Sequence, residues 1–130
     1  MSIIKTEWQL FILVGVGGAI GASARYAISF LPITNGFPFA TLITNLIGCF
    51  VLAYLLSNVS LKRLFPTNII TAIGSGVIGS FTTFSAFALE TIILWNTNNL
   101  LAIIYVSSSI IGGIFLCFLG NLLAVKRVKV

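Results

Sequence analysis

Apolar residues fill four long blocks of this chain, separated by short stretches carrying Pro, Asn, Thr or paired basic residues. The blocks cover about residues 8–31, 37–56, 67–95 and 100–125. A hydrocarbon core about 30 Å thick is crossed by about 20 helical residues, so each block can span it. None shows the alternation of a membrane-barrel strand. Lipid offers the backbone no hydrogen-bond partner, which leaves helices. The pattern predicts an all-α membrane protein with four transmembrane helices in one domain over residues 1–130. The first helix stops at Pro32, and the second begins around Pro38 and ends before Asn58. The third opens after Pro66, and the fourth runs into the basic tail Lys126-Arg127-Val128-Lys129.

The third block is irregular. Gly74, Gly76 and Gly79 lie at its centre beside Ser75, Ser80, Thr82, Thr83 and Ser85. Glycine weakens a helix, and non-helical backbone at mid-membrane persists only inside protein or along a cavity. A helix broken in mid-membrane is expected here, with free carbonyls aimed at an ion site. A kinked but continuous helix packed through small residues is the alternative.

Composition agrees with lipid as the solvent. The 130 residues are 58% hydrophobic and 7% charged, against about 25% charged in soluble domains. There is no histidine, which removes the commonest metal ligand and general base. Cys49 and Cys117 read as small apolar residues. The first apolar run, from Leu10 to Leu31, is too long for a cleaved signal. A net charge of +5 does not indicate nucleic acid, because the basic residues sit at the ends of apolar blocks. Lys5, Lys62, Arg63, Lys126, Arg127 and Lys129 all fall on one side of a four-pass chain. The opposite loops, around Thr34-Asn35-Gly36 and Asn96-Thr97-Asn98-Asn99, carry none. Both termini are therefore expected in the cytoplasm.

Several residues within the blocks bear chemistry. Gly17 and Gly21 share a face on which another backbone can approach closely. Arg25, near the end of its helix, either snorkels to the interface or draws anions to a vestibule. Thr41 and Asn45 share a helical face, and the amide serves either as interhelical glue or as a donor to an anion. Phe84 and Phe87 flank Ser85. Packing is the ordinary reading of such rings, but their positive edges can also meet a small anion. Weak contacts of that kind suit an ion that must leave again. Glu90 is an intramembrane carboxylate, functional or snorkelling. Tyr105, Ser109 and Gly113 form a stripe for packing or pore lining, while Ser107 and Ser108 bond back to their own helix. Donors, ring edges, a broken helix and few titratable groups favour passive movement of a small anion over catalysis.

The motifs Gly-Gly-x-x-Gly-Ala-x-x-Arg-Tyr at Gly17–Tyr26, Thr-Leu-x-x-Asn-x-x-Gly at Thr41–Gly48 and Gly-x-x-Gly-x-x-Thr-Thr-Phe-Ser at Gly76–Ser85 closely resemble the Fluc (CrcB) family of fluoride channels. The resemblance implies an antiparallel dimer with fluoride pores and a central structural sodium ion. By motif match, the sodium would rest on the backbone carbonyls of Gly79 and Thr82. Phe84 and Phe87 resemble the family's pore-facing pair, Asn45 its pore asparagine, and Thr41 the threonine one turn before. Ser85, Glu90, Tyr105 and Ser109 correspond to polar residues along the path. The family commonly has threonine at Ala86, which implies a thinner polar track here, and often glycine at Ala40.

The one-sided charge suggests a heterodimer with an oppositely biased paralogue, a homodimer being the alternative. The expected role is passive fluoride export across a bacterial plasma membrane. The other readings are a small proton-coupled four-helix exporter, for which Glu90 lies off-centre, and a non-conducting subunit of a heterodimer.

Overall fold

Helix α1 (Ser2–Ser29) opens a computed structural model that describes residues 2–30 and 36–126. The expected stop at Leu31-Pro32, the Thr34-Asn35 turn and the Arg127–Lys129 tail lie outside the described residues. Helix α2 (Phe39–Ser57) starts after Pro38, whose missing N–H suits a helix entrance. At its end Asn58 turns to extended backbone, and its side-chain oxygen accepts from Leu61 N at 3.0 Å. That cap starts a short helix, α3 (Val59–Leu64), where the sequence pattern suggests only a connection. Lys62 and Arg63 fall in its last turn, where positive charge complements the exposed carbonyls.

The third span is assembled from pieces: α4 (Thr67–Thr71), a π-helical segment (Ala72–Ile78), α5 (Gly79–Phe81) and α6 (Phe84–Thr97). The expected interruption is present, at Thr82 (φ −83°, ψ 158°) and Thr83 (φ −150°, ψ 123°). It lies downstream of Gly74 and Gly76, which are themselves helical. At Gly76 the missing Cβ serves close packing instead. A Cβ on Gly76 would lie 2.7 Å from the Val14 carbonyl oxygen, and one on Gly17 would lie 2.8 Å from that of Ala72. On Gly21 it would overlap the Val77 carbonyl. So α1 and the π-helical segment meet backbone to backbone, an arrangement available only to small residues.

Helix α7 (Asn99–Lys126) completes the bundle against α2. At Gly120 a Cβ would lie 2.5 Å from the Phe50 carbonyl oxygen. The best-buried side chains are few and, Tyr105 apart, small: Ala102, Tyr105 and Ala124 are 0% exposed and Thr44 1%. Large apolar side chains such as Phe11, Ile111 and Ile114 face outward, as lipid rather than water allows. Four spans, Glu7–Ser29, Phe39–Ser57, Thr67–Thr97 and Asn99–Lys126, are long and apolar enough to cross a membrane, with mean hydropathy 1.5, 2.1, 1.6 and 2.3. The chain is a multi-pass membrane protein.

Candidate functional site

Buried backbone that leaves a helix must find new partners, and at the break Asn45 of α2 supplies them. Thr83 N donates to Asn45 Oδ1 at 2.8 Å, and Asn45 Nδ2 donates to the Thr83 carbonyl at 3.0 Å. The side-chain amide thus pairs with Thr83 much as a neighbouring strand would. Thr83 also caps α6, its hydroxyl accepting from Ala86 N at 3.3 Å. In an unbroken helix the Thr83 N–H would serve the Gly79 carbonyl and the Ala86 N–H that of Thr82. Both donors are engaged elsewhere, so both carbonyls lose their helical partners. Sequence reasoning does not single out Thr83. The signal available is a hydroxyl residue at the position before a fresh helical run.

One turn away a second polar cluster closes on Glu90. Thr41 Oγ1 donates to Glu90 Oε1 at 2.8 Å, and the Tyr105 hydroxyl donates to Oε2 at 2.7 Å. Three spans converge there, and the carboxylate is held inward rather than snorkelling. Each carboxyl oxygen accepts one of these hydroxyl protons. Ser109 and Ser108 donate to the Tyr105 carbonyl at 2.7 and 3.0 Å. The sequence predicts back-bonding for Ser107 and Ser108, whereas the hydrogen-bonded pair is Ser108 and Ser109.

Phe87 packs on Tyr105, centroids 5.3 Å apart and planes tilted by 44°. Phe84 stands 5.9 Å from Phe87 and is 78% exposed. These rings, with Asn45, Ser109, Gly79, Thr82 and Thr83, border a groove of about 400 Å³. Gly48 sits on its floor, where a Cβ would collide with the Thr82 methyl. Ser85, exposed beyond Phe84, has its hydroxyl 3.3 Å from that of Thr83. Arg25, half-buried on α1, is not part of the groove wall.

The sequence candidates therefore separate by place. Asn45, Phe84, Phe87, Ser109, Gly79 and Thr82 meet at the groove; Thr41, Glu90 and Tyr105 lie behind Phe87; Arg25 stands apart. Asn45 keeps a second N–H beyond the bond to Thr83, and the rings offer positive edges. Such a wall can meet a small anion without a formal cation. Among the described residues, no three His, Cys, Asp or Glu side chains are grouped as metal ligands. The oxygens available to a cation at the break are backbone carbonyls and the hydroxyls of Thr82 and Thr83.

The profile of the family described as CrcB-like protein, Camphor Resistance (CrcB), matches residues 12–121. The chain is 46% identical over 127 residues to the fluoride-specific ion channel FluC 1 of Bacillus cereus, covering 92% of this chain and 90% of that protein. It is 44% identical over 117 residues to the fluoride-specific ion channel FluC 2 of Listeria monocytogenes, covering 89% and 91%. A FluC 1 of Bacillus anthracis is 44% identical over 118 residues, covering 85% and 84%.

Proposed function

The chain belongs to the CrcB-like family, and from that premise we propose that it is a fluoride-selective channel. It is an ion channel rather than an enzyme, and it lets fluoride leave the cell passively, which protects against fluoride toxicity. The observation that carries this reading is the groove where Phe84, Phe87 and the Asn45 amide meet, together with the relatives' names. Fluoride sheds water against the Asn45 N–H and the ring edges in turn. Each contact is weak, which lets the ion leave. Glu90 serves the anion path as one of its polar residues from behind Phe87. It fixes Tyr105 and Thr41 behind Phe87 and so sets that ring's angle. Ser85 and Ser109 line the path on either side of the rings, and Arg25 acts at a distance through its charge.

A sodium ion would be held by the Gly79 and Thr82 carbonyls, which fits their loss of helical partners at the break. Bound there, it supplies fixed positive charge that neutralises oxygens in a low-dielectric site. The exposure of Phe84 at 78% supports a second, inverted subunit completing the wall. One-sided basic residues support cytoplasmic termini in a bacterial plasma membrane and an oppositely biased paralogue as partner, with a homodimer as the alternative.

Passive efflux from liposomes loaded with fluoride or chloride, read by ion-selective electrodes, tests the reading. Fluoride loss with chloride retained is expected from the chain alone if it is homodimeric, or with the paralogue otherwise. Silence in both preparations would sink it.

A further inference from the structure

We propose that Asn45 is also a positioning residue, one that makes the break and thereby sets the affinity of the carbonyl site for sodium. This role rests on the reading of Gly79 and Thr82 as the sodium carbonyls.

Without Asn45 the backbone has a simpler solution. Residues 79–81 and 84–97 are helical on either side of Thr82 and Thr83. In a membrane, joining them into one helix would satisfy every backbone group internally. The broken form survives only because other groups take up what the helix gives away. Asn45 takes both polar groups of Thr83, at 2.8 and 3.0 Å. The Thr82 hydroxyl donates to the Ile78 carbonyl at 3.0 Å, closing the end of α5. Thr83 itself caps α6.

Of these devices, only Asn45 competes directly for the N–H that would otherwise quench Gly79. Each Thr83 N–H taken by Asn45 Oδ1 leaves one Gly79 carbonyl lone pair free for a cation. Geometry reinforces the link. Gly48, one turn after Asn45 on α2, has no side chain, and the Thr82 methyl occupies that space. Helix α2 therefore fixes both extended residues from one face, Thr83 by hydrogen bonds and Thr82 by packing. The same amide borders the groove beside Phe84 and Phe87, so one side chain touches the anion path and shapes the cation site. Sodium and Asn45 stabilise the same broken backbone, and linkage requires that weakening one raises the demand for the other.

The test is the sodium dependence of thermal stability in the detergent-solubilised, assembled protein, titrated with sodium chloride against choline chloride at constant ionic strength. Asn45→Leu keeps the size and loses both bonds. Asn45→Asp keeps the acceptor for Thr83 N and loses the donor, and it carries the test if the leucine variant does not assemble. Ser109→Ala, on the same groove but bonded only to its own helix, is the control. Half-saturating sodium is expected to rise about tenfold in Asn45→Leu, equivalent to about 1.4 kcal/mol, less in Asn45→Asp, and not at all in Ser109→Ala. Half-saturation unchanged in the Asn45 variants while the parent responds to sodium would overturn the positioning role alone. A parent stability indifferent to sodium would overturn it through its premise, leaving the fluoride reading to the efflux measurement.

Discussion

At residue scale the two phenylalanines, three positions apart in sequence, have unlike surroundings. Phe87 lies against Tyr105, while Phe84 is largely uncovered. Phe84→Ile should leave the stability of the isolated chain within about 0.5 kcal/mol, whereas Phe87→Ile should cost about 1–2 kcal/mol. A ring edge that lowers the anion's barrier by about 0.5–1.5 kcal/mol, the size of an aromatic pair contact, implies that either substitution slows fluoride efflux about twofold to thirteenfold. Unchanged efflux in a normally assembled Phe84→Ile channel would remove that ring from the path. Behind them, Tyr105→Phe strips one donor from Glu90 Oε2. Leaving a buried acceptor without its partner costs about 1–3 kcal/mol, so thermal denaturation in detergent should show a loss of that order. Glu90 and Asn45 are both visible in the sequence as polar residues at membrane depth. Their partners are not, because Thr41, Thr83 and Tyr105 are brought to them from other spans.

Among the elements, glycine shows the same division. Its accumulation in the third block correctly signals irregular backbone, yet Gly74 and Gly76 lie in the π-helical segment, Gly79 opens α5, and the two threonines after them form the break. What Gly76 does, with Gly17 and Gly21 opposite it, is admit α1 against the π-helical segment. Gly21→Ala would drive a methyl into the Val77 carbonyl, which cannot swing aside as a side chain can. Overpacking of this kind costs about 1–3 kcal/mol. Gly15→Ala, on the same helix with nothing within 4 Å, should instead be neutral or stabilise by up to about 1 kcal/mol. Measuring both by chemical denaturation distinguishes a packing role from a general dislike of change in α1. Equal effects would refute the backbone-contact account. Helix ends are legible wherever a proline or a capping residue marks them, as at Pro38 and Pro66. Helix α3 escapes notice because at six residues it has no room for a hydrophobic period.

At the scale of the whole molecule, charge placement predicts orientation. In a background with Cys49 and Cys117 replaced by serine, Lys62→Cys should react with a membrane-impermeant thiol reagent only from the cytoplasmic side. Asn98→Cys should react only from outside. Equal labelling from both sides would mean two orientations, as a homodimer needs, and would remove the case for a biased partner. The sequence by itself determined that the chain lives in lipid, how many times it crosses, where the backbone is weak and which polar side chains are out of place in hydrocarbon. These are properties of composition and of patterns a few residues long, and they hold whatever the helices later touch. Only the tertiary structure decided that Asn45 serves the Thr83 backbone, that Glu90 gathers hydroxyls from two other spans, and that Arg25 stands off the groove. A hydrogen bond in a membrane goes to whichever partner packing brings within about 3 Å, and residues 38 or 49 positions apart in the chain carry no local sign of that meeting.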